Sequence, residues 1–515
     1  MTIAVRRIVI NTVSGSGARI AALGIAFLTT PVLVNQLGSE GFGLFSIAAA
    51  LPAYAGLLDF GIGAGLVKHF TEYSEAGDTD GVRQVMTLSL CFYLVLGALL
   101  TPVAVLLAPS IAGLLGLSEE YRRAAEVSVV IMFLYFIASG LVGIVSARLV
   151  SLHRMDITAG VGLLAQAAYG AAVFLVLPLS PTVLTAIWLT VFQLLLTGVL
   201  LYVIVVRADR RLFCNPLAIP GTLVRKLFAF GGWMQLNSLT ALVNLEADKL
   251  IIAGFLNMAA VTPYQIANRL ASVNRLIPFQ LLSALMPAAT MMQLSHSRAE
   301  AAQFYSHMSR YLMLLTLVIT GFTAVAADRF ILTWIGQPYP PASLIVVALC
   351  LSFAVNNLTG GGTTMARAAG LPRYETYYAV LSMVLNIGLT VALAPSFGLA
   401  GILGGTIIAN VVGSVYFLAI FHRRFAISWY ATMGDWLWRL LGAMALACAT
   451  VAVLQALEPA SLGTDRLTGL VLLGVYGIAY LVVFAAGLSL LGFWSSGDID
   501  IFRRLRLKIV PAKQG

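Results

Sequence analysis

Arg19, Lys249, Arg269 and Arg275 each fall inside an apolar run long enough to cross a bilayer. A cation held in hydrocarbon costs from about 3 to over 10 kcal/mol, so such side chains face a partner, a cavity or an anionic ligand. Three of the four are arginines, whose planar, permanently charged forks suit phosphate oxygens. The pattern therefore predicts that something negatively charged is handled within the membrane. In the stretch YQIANRLASVNRLIP, Gln265, Asn268, Arg269, Ser272 and Arg275 recur at spacings of three and four, which one broad face of a helix presents together. On an unbroken helix Arg269 and Arg275 would stand about 9 Å apart along the axis. Arg19, Asn268, Arg269, Ser272 and Arg275 are thus the expected binding set.

Acidic residues inside the apolar runs suggest a second chemistry, ion coupling or gating, with Asp59, Glu246, Asp248 and Lys249 as candidates. Glu246 and Lys249, three residues apart, can pair within their own helix. Lys249 also sits near the end of its run, where it could snorkel to headgroups. Asp248 has no obvious partner in its helix and is the better candidate for binding a proton or cation. Asp59 could neutralise Arg19. No organic cofactor or metal is expected, and H+ or Na+ are the candidate coupling ions.

Catalytic motifs are absent. There is no Walker-type phosphate loop and no HExxH, and the five histidines are dispersed through loops. Asp498 and Asp500 in "DID" resemble a glycosyltransferase metal pair, but no nucleotide-sugar domain surrounds them. The four cysteines are isolated, with neither disulfide nor metal spacing.

The elements that must position these side chains are membrane helices. A chain of 515 residues with 60% hydrophobic and only 10% charged residues cannot cover a water-soluble globule of that size. Fourteen apolar runs predict spans near residues 9–35, 42–67, 84–109, 127–148, 159–178, 183–206, 227–255, 261–287, 311–335, 343–366, 375–394, 399–421, 437–456 and 468–493. The expected fold is an all-α polytopic membrane protein. Of the 31 Lys and Arg, 23 fall on the side that carries both termini, which predicts cytoplasmic termini. The net charge of +10 is then ordinary topology, attractive to membrane lipids, and implies no nucleic-acid partner.

A weak repeat appears at an offset of 219 residues. Ile47, Ala48 and Leu51 map onto Ile266, Ala267 and Leu270, and Ala147, Leu152 and Arg154 onto Ala366, Leu371 and Arg373. The expected organisation is two pseudo-symmetric six-helix lobes, 1–206 and 220–421, a further hairpin of two spans at 437–493, and a basic cytoplasmic tail at 494–515. Six spans per lobe give both the same orientation, with a cavity between them.

PVLVNQLGSEGFGLFS at residues 31–46 and LLDFGIGAGLVKHF from Leu57 resemble the N-terminal pattern of the polysaccharide transport family, the Wzx-type flippases. ADKLIIAGFL from Ala247, leading into YQIANRLASV, resembles the same family's second-lobe counterpart. The resemblance implies a flippase of the multidrug/oligosaccharidyl-lipid/polysaccharide (MOP) exporter superfamily in a bacterial inner membrane. Its cargo would be undecaprenyl-pyrophosphate-linked oligosaccharide units for O-antigen or exopolysaccharide, with a polysaccharide polymerase and chain-length proteins as partners. Two alternatives remain open: a multidrug exporter of the same superfamily, which would favour acidic and aromatic linings, and a membrane polymerase or glycosyltransferase, which would need a large extracytoplasmic loop.

Overall fold

A computed structural model describes residues 3–208, 214–216, 219–295, 297–458, 465–494 and 498. Backbone groups in hydrocarbon must be satisfied within their own segment, which here means helices. Among the described residues there are seventeen α-helices and no strand. They are α1 (Ile3–Ala48), α2 (Leu51–Ala55), α3 (Ile62–Glu75), α4 (Thr79–Leu114), α5 (Glu119–Ser151), α6 (Met155–Leu175), α7 (Val183–Ala208), α8 (Gly221–Phe255) and α9 (Met258–Ala271). There follow α10 (Val273–Ser295), α11 (Arg298–Val325), α12 (Ala327–Ile335), α13 (Pro340–Asn357), α14 (Gly360–Ala368), α15 (Arg373–Phe425), α16 (Trp429–Ala456) and α17 (Arg466–Leu490).

Seventeen helices and fourteen expected spans are reconciled by breaks. At 1.5 Å per residue the 53 residues of α15 would run about 80 Å, far beyond a bilayer core of about 30 Å. The helix is divided at Gly398, whose φ of 55° with ψ of −133° is open to glycine and costly for other residues. Gly38 (φ 69°) divides α1 in the same way. The second expected span is interrupted by a 3₁₀ turn, Gly56–Asp59, before α3 resumes. Ten helical segments of the described chain are individually long and apolar enough to cross a membrane. The seventh and eighth expected spans lie outside those ten: α8 carries Glu246, Asp248 and Lys249, and the eighth span is split at Ser272 into α9 and α10.

The breaks recur at the repeat offset. α4 begins at Thr79 and α11 at Arg298, 219 residues on; the kink at Gly38 corresponds to Asn257, between α8 and α9. The 3₁₀ turn Leu177–Leu179, which ends α6, corresponds to the segment kinked at Gly398.

By packing the chain forms two compact units, one from the chain up to Gln265 with Leu393–Ile402, the other from Ile266–Ala392 and the chain from Leu403 on. In the first, Phe70 of α3, Met86 and Tyr93 of α4, Phe136 of α5 and Leu227 of α8 share one apolar core. In the second, α16 and α17 pack on α11 through Leu317, Ala443, Ala447, Tyr480 and Phe484. A further core joins Tyr305 of α11, Met365 of α14, and Phe417 and Phe421 of α15. There Gly361 lies against Ser309, and a Cβ in its place would collide with the hydroxyl. The triple glycine of α14 thus serves close helix packing.

Candidate functional site

Ser272 interrupts the polar stripe. Its hydroxyl donates to the carbonyl oxygen of Arg269 (2.7 Å), and its own carbonyl accepts from the backbone N–H of Arg275 (3.0 Å). Asn268, Arg269, Ser272 and Arg275, expected on one continuous helix, are therefore divided at Ser272 between α9 and α10. The interruption is short: the Ser272 N–H still donates to the Asn268 carbonyl (2.9 Å), and the Ser272 carbonyl still accepts from the Leu276 N–H (3.0 Å). Asn268, Arg269, Ser272 and Arg275 are all half-buried. The Arg275 guanidinium lies over the ring of Phe353, 5.6 Å from its centroid, a cation–π contact that steadies the charge in an apolar setting.

What fixes the start of α10 is a residue that the charge-led reading of the sequence passed over. Asn274 is fully buried. Its amide donates to Cys350 Sγ (3.2 Å), its side-chain oxygen accepts from the Thr320 hydroxyl (2.9 Å), and its backbone carbonyl accepts from the Asn357 amide (2.8 Å). Asn357 donates in turn to Thr316 (3.2 Å). Helices α10, α11 and α13 are thereby tied together directly beside Arg275. The available signal was an Asn one residue before an intramembrane Arg, in a helix where an unpaired amide is costly.

Arg19 is exposed and enters no ion pair or hydrogen bond among the described residues. Its expected neutralisation by Asp59 does not occur. Asp59 instead accepts from the Tyr93 hydroxyl (2.9 Å) and from the Gly63 N–H (3.1 Å), which caps the first turn of α3 where the span is broken. That capping bond is short-range and holds the carboxylate to its own backbone.

Glu246 and Lys249 form an ion pair within α8. Lys249 is only 5% exposed, so it does not snorkel; the partner one turn away makes burial affordable where lipid headgroups were expected to. Asp248 is also buried and accepts from the Tyr264 hydroxyl of α9 (2.9 Å). Close by, the Thr262 hydroxyl donates to the carbonyl of Ser39, next to the Gly38 kink. The side chains of Gln235, Asn237, Ser238 and Asn244, which make the rest of α8 polar, lie outside the described residues.

Asp498 of the "DID" stretch has a structural setting. It is buried, pairs with Arg310 (2.9 Å) and accepts from the Tyr311 hydroxyl. Arg310 also lies over the Phe493 ring at 4.2 Å. Asp500 and the basic tail beyond it lie outside the described residues.

A family of polysaccharide biosynthesis proteins matches residues 8–293, more than half of the chain. The chain belongs to this polysaccharide biosynthesis family. The match takes in every candidate residue singled out within the spans, from Arg19 to Arg275. This family member is also 21% identical over 389 residues to a candidate O-antigen transporter of Shigella flexneri, covering 73% of the chain and 88% of that protein. Its fold is that of the lipid II flippase MurJ in an inward closed conformation (TM-score 0.62, 13% identity, 92% of this chain and 98% of that one). An inward-facing multidrug resistance MATE transporter of the MOP superfamily is similar at a TM-score of 0.60, with 16% identity over 78% of this chain and 94% of its own. The fold is thus the all-α polytopic fold of the MOP superfamily, and these relatives are transporters and flippases.

Proposed function

We propose that this protein is a flippase that carries a polyprenyl-pyrophosphate-linked oligosaccharide across the bacterial inner membrane by alternating access, for cell-surface polysaccharide export. The observation that carries the reading is the pair of half-buried arginines flanking the Ser272 break, in a chain of the polysaccharide biosynthesis family. A pyrophosphate brings about two charges, and if each costs at least about 3 kcal/mol at the bilayer centre, unassisted crossing is slowed by roughly 10⁴ or more. Arg269 and Arg275 offset that cost by direct attraction, and Arg19, which enters no ion pair among the described residues, offers a further guanidinium. A broken helix suits this role because its two halves reorient about the break while the charges stay with the cargo.

Asp248, held by Tyr264, is the proposed ion-coupling group, binding H+ or Na+ in one conformation and releasing it in the other. Glu246, Lys249 and Asp59 serve the gate through their own fixed contacts. Both termini are placed in the cytoplasm, from the distribution of Lys and Arg, and a polymerase and chain-length proteins are the downstream partners. MATE exporters share the fold, but basic candidates at the break are poorly suited to cationic drugs.

The test is flipping in proteoliposomes loaded with labelled lipid-linked oligosaccharide. The double variant Arg269→Ala with Arg275→Ala should lose transport while keeping its helix content and thermal midpoint. Full residual transport would refute the assignment. Incorporation of labelled sugar into polymer by the purified protein would instead mark an enzyme.

A further inference from the structure

A second basic feature lies within the Ile266–Ala392 and Leu403-onward unit, away from the Ser272 break. A cleft of about 300 Å³ opens where α11 begins and α15 ends. Arg298, Arg424 and Ser297 line it together with the apolar side chains of Phe421, Phe425 and Ile427. Both arginines are exposed, and neither enters an ion pair or hydrogen bond among the described residues. Glu300, the nearest acid in sequence, is folded back into a capping box with Ser297, whose N–H and hydroxyl both donate to its carboxylate at 2.8 Å. The lining therefore carries two positive side chains and no negative one.

The wall is built to last. Phe421 stacks on Phe417, and Tyr305 holds His422 by a hydrogen bond of 3.0 Å. Ala426 takes a left-handed φ of 53°, which turns the chain at the end of α15 and brings Ile427 back to the cleft. At the repeat offset, Arg298 and Arg424 correspond to Thr79 and Val205. The charge pair thus has no counterpart at the expected repeat offset.

We infer that this cleft binds the phosphate headgroup of an acidic membrane phospholipid, with Arg298 and Arg424 on the phosphate and the aromatic wall against the start of an acyl chain. The half-polar, half-apolar lining fits an amphiphile better than a free anion. Basic recesses between membrane helices on the Lys- and Arg-rich side are suited to such headgroups. The site is separate from the proposed transport arginines and does not depend on them.

The full chain, purified in a zwitterionic detergent and titrated with phosphatidylglycerol, phosphatidylcholine or inorganic pyrophosphate, would be read by native mass spectrometry. The expected result is one retained phosphatidylglycerol that neither phosphatidylcholine nor pyrophosphate displaces. Arg298→Gln with Arg424→Gln should weaken its retention by roughly 30-fold. Arg423→Gln, which changes an exposed arginine outside the lining, should leave it unchanged. Equal retention of the two phospholipids, displacement by pyrophosphate, or undiminished retention in the double variant would each overturn the inference. The comparison of lipids needs no variant, so a poorly folded double variant would not shield the proposal from failure.

Discussion

Replacing Asn274 by leucine tests the idea that a neutral, buried network holds the start of α10. The substitution nearly preserves volume, so little cavity is created, but it removes the acceptor of the Thr320 hydroxyl. Thr320 is 1% exposed and its bond to Asn274 is 2.9 Å long. A buried hydroxyl left without a partner costs about 1–3 kcal/mol. The lost bond to Cys350 adds little, because sulfur accepts weakly. In membrane proteins the unfolded chain also finds polar partners, and measured couplings of this kind average about 0.6 and reach about 1.7 kcal/mol. Asn274→Leu is therefore expected to destabilise by about 1–2 kcal/mol. Thr320→Val placed on top of it should restore much of that loss, since the stranded hydroxyl disappears. Reversible unfolding of the full chain in mixed micelles, run on the two single variants and the double, gives the coupling directly. A change within about 0.3 kcal/mol for Asn274→Leu, or strict additivity in the double variant, would refute the network.

Three more outcomes follow from contacts described above. Glu246→Gln strands the buried Lys249 and should lower stability by about 3 kcal/mol, with much of it regained when Lys249→Met is added; unfolding midpoints decide it. Gly43→Ala should destabilise by about 1–3 kcal/mol in the same measurement, because a Cβ at Gly43 would collide with the backbone carbonyl of Met258, which cannot rotate away. Asp465 caps α17, and hydrogen bonds from the Thr468 hydroxyl and from the Thr468 N–H (3.1 Å) hold its carboxyl below the usual carboxylate range. A folded-state pKa that is lowered stabilises above the unfolded value of about 4 and is lost as pH falls through the folded one. The difference in thermal midpoint between the wild type and Asp465→Ala should thus be largest near neutral pH and vanish in acid; a difference independent of pH would contradict the cap.

The amino-acid sequence made the helices legible because the bilayer imposes a length and a composition that need no partner to be recognised. Its punctuation was harder to see. Gly38 and Gly398 lie in apolar runs that read as turns between spans only because those runs are too long, whereas Ser272 sits in a run of ordinary length and gave no warning. The Glu246 and Lys249 pair was readable from spacing alone. Asp59 was not: the apparent partner was a cation on α1, yet the local geometry of a glycine-rich restart offered a backbone N–H at far lower entropic cost, and Tyr93 completed the shell from α4. Asn274 was missed for the opposite reason. A neutral amide attracts no attention beside two arginines, although burial makes its satisfied bonds the stronger structural constraint.

The terminal pair of helices, α16 and α17, stands outside the two six-helix lobes expected from the sequence and invites treatment as an ornament. Its side chains argue otherwise. Glu458, just past α16, neutralises Arg329 of α12 and accepts from Tyr476 of α17, while Tyr480 donates to the backbone of α11 at Leu317. Asp498, after α17, closes on Arg310. Trimming the chain back to twelve spans would leave two guanidiniums orphaned in half-dry surroundings and bare the apolar flank of α11. A chain shortened by this hairpin would therefore also need Arg310 and Arg329 replaced, or it would keep two cations without their acids.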